Sequence, residues 1–295
     1  MGGRGKTPLA ALVAQLLVDA GERPAILSRG YGRQIADDGV TIVSEGRPTA
    51  DGGADTARFA DLAHSGDEPL MLARAVPGAA VLVCEHRALA GALAERALGC
   101  TVHVLDDGFQ HHQLHRDVDI VLVAPEDFTA RVVPFGRLRE PLDTLREADA
   151  ILLDGYAEPG AVAKLPHCDG ASFTGVLARQ LGRPSVELPS NARVFAVAGI
   201  AGPSRFFDAL PRYGFEVVGS LAFRDHHAFT AADVARIATA AGASGAAAIV
   251  TTVKDAVRLE GLGPWPVPLV EIPLNVRVEP GEAFREWLMQ AIRAV

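Results

Sequence analysis

Gly2, Gly3, Arg4, Gly5, Lys6 and Thr7 stand in one unbroken run at the head of the chain and form nearly a Walker A loop. The chemistry such a run supports is phosphate binding. Glycines let backbone N–H groups turn toward phosphate oxygens, Lys6 neutralises the β- and γ-phosphates, and Thr7 offers a hydroxyl to Mg²⁺. A second group of chemically capable residues lies about a hundred positions on, where the apolar run Thr101 to Leu105 ends in the paired acids Asp106 and Asp107. That is the form of a Walker B, in which a carboxylate at a strand tip reaches Mg²⁺ directly or through water. Either group alone is ambiguous. Together they supply the phosphate cradle and the metal anchor that phosphoryl transfer needs.

The elements that must position these residues follow from pattern and punctuation. Pro8 suits a first helical turn, and Leu9, Leu12, Val13, Leu16 and Leu17 recur at the spacing of an amphipathic helix, whose positive N-terminus then faces the phosphates. Gly21 ends that helix. Pro24 to Ser28 reads as a buried strand opening into Arg29-Gly30-Tyr31-Gly32-Arg33, a loop at the strand end where parallel sheets bind ligands, or else a solvated basic turn. Asp67 sits at the mouth of a helix and, taken alone, is most simply an N-cap. Further strands are predicted at 41–44, 80–83, 118–123 and 150–153, and a helix over 89–98. The strand from Val118 puts His111, His112 and His115 on a surface turn rather than in a metal cluster. Residues 131–141 form a Pro- and Gly-punctuated basic loop, either a flexible cover or an anion clamp. From 155 to 191 the pattern weakens. Strand-and-helix units resume at Val194, Glu216 and Ala246, with Thr230 capping a helix that runs to Ala240. The expected fold is α/β: a P-loop NTPase-like parallel sheet flanked by helices over residues 1–187, and a second, smaller α/β domain over 188–295 that closes the active-site cleft.

Composition narrows the function classes. With 49% apolar residues the chain is not disordered, and no run of eighteen apolar residues encodes a membrane span as numbered. Cys84, Cys100 and Cys168 are odd in number and widely spaced, fitting neither a disulfide framework nor a zinc site and pointing to a reducing compartment. A net charge of −8 argues against bulk nucleic-acid binding.

Several stretches, in order and spanning nearly the whole chain, resemble the tetraacyldisaccharide 4′-kinase family, the lipid A 4′-kinases of Gram-negative bacteria. They are residues 2–8, 28–33, 66–69, 105–120, 136–141, 195–207, 223–230 and 251–259. The resemblance implies ATP- and Mg²⁺-dependent transfer of a γ-phosphoryl group to the 4′-hydroxyl of a lipid-linked disaccharide monophosphate, at the cytoplasmic face of the inner membrane. It implies phosphate-loop roles for Gly2 to Thr7, metal association for Thr7, Asp106 and Asp107, and hydroxyl activation by Asp67 with His226. Arg29, Arg139 and Glu140 match family positions near the active-site opening, where substrate binds. On the linear domain split, Asp67 and His226 meet only across the interdomain cleft. It also implies a preceding strand and an apolar N-terminal helix, neither of which follows Met1, so an upstream continuation is expected and membrane contact as numbered is peripheral.

Arg4 stands where the family usually has a small hydroxyl residue, and Val253 where an acid commonly precedes Lys-Asp, which weakens any role for Lys254. Two other classes share the loop: a P-loop GTPase or ATPase acting as switch or metallochaperone, and a nucleotide-binding relic. Guanine recognition usually needs an Asn/Thr-Lys-x-Asp spacing, whereas Lys254 and Asp255 are adjacent here.

Overall fold

Alternation of buried residues along the strands shows how the layers form. In the computed structural model, which describes residues 5–35, 39–46, 59–155, 162 and 165–294, strand β8 (Arg193–Ala198) sends Val194, Ala196 and Ala198 to one face and Phe195 and Val197 to the other. Side chains of a strand point alternately to the two faces, so each set needs its own cover. Helix α5 (Pro203–Tyr213) covers the first set with Phe206 and Leu210, and α6 (Ala231–Ala243) covers the second with Ile237 and Ala241. The sheet between them runs β11 (Leu269–Ile272), β10 (Ala248–Thr252), β8, β9 (Glu216–Ala222), all parallel. Parallel strands covered on both faces are the helix-flanked α/β arrangement expected from the sequence.

A second four-stranded sheet has the order β2 (Thr41–Glu45), β3 (Ala80–Val83), β1 (Pro24–Ser28), β4 (Val102–Leu105), with β1 and β3 parallel and β2 antiparallel. Every residue of β1 and β3 is buried. A third sheet has the order β12 (Leu274–Glu279), β7 (Phe173–Leu181), β6 (Ala150–Asp154), β5 (Ile120–Val123). The remaining helices are α1 (Lys6–Asp19), α2 (Leu62–Ser65), α3 (Asp67–Ala75), α4 (Arg87–Leu93, continued by one π-turn to Leu98), α7 (Val253–Leu259) and α8 (Gly281–Arg293).

The chain divides into two compact units, and neither is continuous. Unit 1 comprises Met1–Gly21, Val104–Arg179 and Val276–Val295; unit 2 comprises Glu22–His103 and Gln180–Asn275. This differs from a linear division at 187/188. The reason is topological: the first and last helices belong with the middle of the chain, and the region of β1 to α4 belongs with that of β8 to α7. Helix α1 also differs in detail from its pattern. Its buried face is Leu9, Ala10, Val13, Ala14 and Leu17, while Leu12 and Leu16 are only half-buried, because the small alanines take the close-packed positions.

Candidate active site

Unit 1 holds the phosphate-binding residues. Gly5 precedes α1 with φ 82°, ψ 18°, a left-handed conformation that glycine adopts without the cost a Cβ imposes. A Cβ there would also lie 2.9 Å from Nη2 of Arg179, which is ion-paired with Asp154 at 2.8 Å. Lys6 and Thr7 follow as the first two residues of the helix. Gly2, Gly3 and Arg4 lie outside the described residues. At the end of β4, Asp106 is buried and its Oδ2 accepts a hydrogen bond from Thr7 Oγ1 at 3.2 Å. Asp107 is the next residue, at φ 58°. It accepts a hydrogen bond from the Lys6 ammonium through Oδ1 and one from Arg139 Nη1 through Oδ2 at 3.2 Å. The same Arg139 nitrogen donates to Gln110 Oε1 at 2.9 Å. Burial raises the Asp107 carboxyl, but Lys6 and Arg139 outweigh it and hold the group below the usual carboxylate range. The two acids are therefore not equivalent. Asp107 is committed to two cations, whereas Asp106 converges with a hydroxyl.

That convergence suits Mg²⁺, which takes oxygen ligands and is commonly held by one or two protein groups, with waters and phosphates completing its shell. Among the described residues there is no group of three or more His, Cys, Asp or Glu able to hold a metal by themselves. His111, His112 and His115 accordingly form no such cluster; His112 pairs with Glu140 at 3.5 Å and His115 with Asp117 at 3.3 Å.

Unit 2 assembles a second polar centre from four sequence motifs. The main-chain N–H of Glu68 donates to Asp67 Oδ1 at 2.9 Å. Asp67 is the first residue of α3 and is buried, so it does not serve as the helix cap; that position is Gly66, at φ 81°. Asp67 Oδ2 lies 3.1 Å from His226 Nδ1 and 3.0 Å from Arg258 Nε. His226 sits in the loop after β9 at φ 55°, its main-chain N–H donating to Asp225 Oδ1 at 3.0 Å and its ring meeting Tyr31 edge-on at 5.1 Å. A Cβ on Gly30 would come within 2.2 Å of Val83 Cγ1, and one on Gly66 within 3.2 Å of the Tyr31 carbonyl oxygen, so both glycines let the loop after β1 close on this centre. Arg29 is exposed at the start of that loop.

The pair expected across a cleft between domains thus lies within one unit. Both partners come from elements of unit 2, and no domain closure is needed to bring Asp67 and His226 together. The neighbouring His227 is committed elsewhere: its Nε2 lies 3.0 Å from Asp233 Oδ2, and its ring stacks on Phe223 at 4.8 Å.

Sequence reasoning discounted one residue and missed another. Lys254 Nζ reaches Glu68 Oε1 at 2.9 Å, His226 Nε2 at 3.1 Å and Asp225 Oδ1 at 3.3 Å. Arg258 stands one turn further along α7 and, besides its ion pair with Asp67, donates through Nη1 to the carbonyls of Gly199 and His227 at 3.2 and 3.3 Å. The signal was a basic pair at i and i+4, which falls on one helix face whatever residue occupies position 253. Arg179 and Asp154 carried no comparable signal.

The model of the tetraacyldisaccharide-1-P 4′-kinase family, LpxK, matches residues 1–293. A tetraacyldisaccharide 4′-kinase of Koribacter versatilis is 36% identical over 99% of this chain and 86% of its own length. One of Geobacter metallireducens is 40% identical over 88% of this chain and 76% of its own. The crystal structure of LpxK from Aquifex aeolicus in complex with ATP superposes with a TM-score of 0.74 at 30% identity, covering 99% of this chain and 85% of that one.

Proposed function

The chain belongs to the tetraacyldisaccharide-1-P 4′-kinase family, and from that premise we propose how its two polar centres divide the reaction. The activity is transfer of a γ-phosphoryl group to the 4′-hydroxyl of a tetraacyldisaccharide 1-phosphate in lipid A biosynthesis. A switch GTPase or metallochaperone is not favoured by any of these relatives.

On this reading the phosphate side is unit 1. The Aquifex neighbour is in complex with ATP, and Gly5, Lys6 and Thr7, with Gly2, Gly3 and Arg4 before them, are the residues proposed to cradle the phosphates of ATP on this chain. Thr7 and Asp106 are the groups to hold Mg²⁺, which when bound offsets the charge of the β- and γ-oxygens. Asp107 keeps Lys6 and Arg139 together as a pair of cations beside the loop.

The acceptor side is unit 2. Phosphoryl transfer leaves the protein mainly positioning and charge to supply, with one proton to remove. The 4′-O–H bond breaks as its proton passes to Asp67. The 4′-oxygen forms the new bond to the γ-phosphorus, and the bond to the bridging oxygen breaks with its electron pair leaving on ADP. A carboxylate offers about four lone-pair sites. The Glu68 N–H and the His226 ring occupy two of those on Asp67, and Arg258 is ion-paired with its Oδ2, which leaves room for the sugar hydroxyl. Such a positioned base is worth about 10²–10⁴-fold. Arg29, in unit 2, and Arg139 and Glu140, in unit 1, are each proposed as substrate-binding residues. No described helix is long and apolar enough to cross a membrane, and contact with the cytoplasmic face of the inner membrane is proposed to be peripheral, following the acylated substrate.

The observation that carries the assignment of the base is the 3.1 Å contact of His226 Nδ1 with a buried Asp67. Steady-state kinetics of Asp67→Ala, His226→Ala and the double variant test it. Each single change lowers kcat far more than it raises the KM for ATP, and the double variant loses less than the product of the two. Near-normal kcat in Asp67→Ala removes it as the base.

A further inference from the structure

Three carboxylates compete for the N–H of one imidazole in unit 2. Asp67 Oδ2 faces Nδ1 of His226 at 3.1 Å. Facing Nε2, at 3.9 Å each, are Glu68 Oε1 and Asp225 Oδ2. Two acids on the Nε2 side against one on the Nδ1 side is an arrangement that, left alone, draws a proton to Nε2. Lys254 prevents this by standing between them. Its ammonium has three donors and no acceptor, and its three close partners are Glu68 Oε1 at 2.9 Å, His226 Nε2 at 3.1 Å and Asp225 Oδ1 at 3.3 Å. With every donor assigned, Nε2 must present its lone pair. The ring proton is left on Nδ1, aimed at Asp67. In the opposite tautomer an Nε2–H would meet the ammonium and an Nδ1 lone pair would meet the carboxylate, two repulsive contacts in place of two hydrogen bonds.

We propose that Lys254 is a positioning residue for phosphoryl transfer: it fixes His226 as the Nδ1–H tautomer and thereby holds Asp67 in the orientation that receives the hydroxyl proton. The side chain is only 14% exposed, and α7 holds it there through its own cap, Thr252 Oγ1 accepting the Asp255 N–H at 3.2 Å. The other groups facing His226 are accounted for. Tyr31 meets the ring by its edge, and Arg258 addresses Asp67 rather than the imidazole. The role in catalysis rests on Asp67 being the base, but the tautomer does not, so the two ideas fail separately.

The test is ¹⁵N NMR of the His226 ring in the full-length protein, combined with kinetics of Lys254→Met and Lys254→Arg. In the parent protein Nδ1 carries the proton and Nε2 does not. In Lys254→Met, Glu68 and Asp225 face Nε2 with no cation between, and Nε2 becomes protonated. At the same time kcat falls roughly tenfold or more, part of the 10²–10⁴-fold that base catalysis provides, while the KM for ATP stays within about twofold. Lys254→Arg, which again offers an N–H to Nε2, restores the unprotonated Nε2 and at least a third of kcat. A proton on Nε2 in the parent protein overturns the proposal, and that measurement needs no variant to fold. It is equally overturned if Lys254→Met keeps an unprotonated Nε2, or keeps kcat within twofold of the parent. If the tautomer follows this pattern but Asp67→Ala retains kcat, the base assignment fails and the tautomer control stands.

Discussion

Replacing Arg258 by Met should be among the most destabilising single changes in unit 2, and its size can be worked from the contacts it breaks. The guanidinium side chain is 6% exposed. It stands 3.0 Å from Asp67 Oδ2 and 3.5 Å from Asp255 Oδ1, on carboxylates that are themselves 6% and 0% exposed. It also donates to two main-chain carbonyls. Met matches much of the apolar stem, so the loss is electrostatic rather than a cavity. Removing one partner of a buried pair leaves an uncompensated charge and costs about 3–5 kcal/mol. The contacts form one network, so further terms are not added. Against a total stability of about 5–15 kcal/mol for a folded domain, that is a large fraction.

The pH dependence gives the sharper check. Burial raises the Asp255 carboxyl above the ordinary range, with Arg258 the main opposing influence. A carboxyl whose folded-state pKa is raised favours the folded state most when protonated, below its unfolded value. That contribution is lost as pH rises through the folded-state value. Without Arg258 the Asp255 carboxyl moves further up, so the deficit of Arg258→Met should be small in acid and widen toward neutral pH. Urea unfolding of both proteins between about pH 4 and 8 measures it, with m expected to stay constant. Adding Asp255→Asn should recover part of the neutral-pH loss. A deficit under 1 kcal/mol, or one equal at both ends of the range, would refute the reasoning.

The inequality of the paired acids predicts that Asp106→Asn raises the Mg²⁺ concentration needed for half-maximal turnover more than Asp107→Asn does, as a Mg²⁺ titration at saturating ATP will show; equal shifts would mean that both ligate. The lowered Asp107 carboxyl supports folding above the unfolded-state carboxylate range, a contribution lost as pH falls through its folded-state value. Asp107→Asn should therefore flatten the acid limb of the stability profile. Thr230→Ala removes a cap in which Thr230 and Asp233 bond each other reciprocally, and thermal melting should show a loss of about 1 kcal/mol with kcat retained.

How much of this was legible before the structure depended on whether a residue's job is local. The loop Gly5-Lys6-Thr7, the acids closing β4 and the Thr230 cap are set by residues within a few positions of one another, and they stand where the sequence places them. Strand β7 was hidden because Phe173–Leu181 interrupts its apolar run with Thr174, Gly175, Arg179 and Gln180. Its partner β12 comes from almost the other end of the chain. The division into units was illegible for the same reason: spatial proximity of α1, β5 to β7 and α8 leaves no trace in linear order.

Lys254 shows the opposite failure, in which a local rule was given too much weight. Val253 departs from the usual acid, and that departure devalued its neighbour. Yet positions 253 and 254 point about 100° apart on a helix, so the identity of one says little about the task of the other. Position 254 shares its face with 258, and that face carries two cations to three acids, Asp67, Glu68 and Asp225. An isolated buried acid would be costly and would repel its neighbours. A near-balanced set of charges, with Asp67 and Arg258 buried and Glu68 and Asp225 partly exposed, can keep a defined proton arrangement. That arrangement is what a hydroxyl-activating carboxylate requires, because its value lies in its orientation as well as its charge. The basic face of α7 is thus read better from its periodicity than from its agreement with a motif.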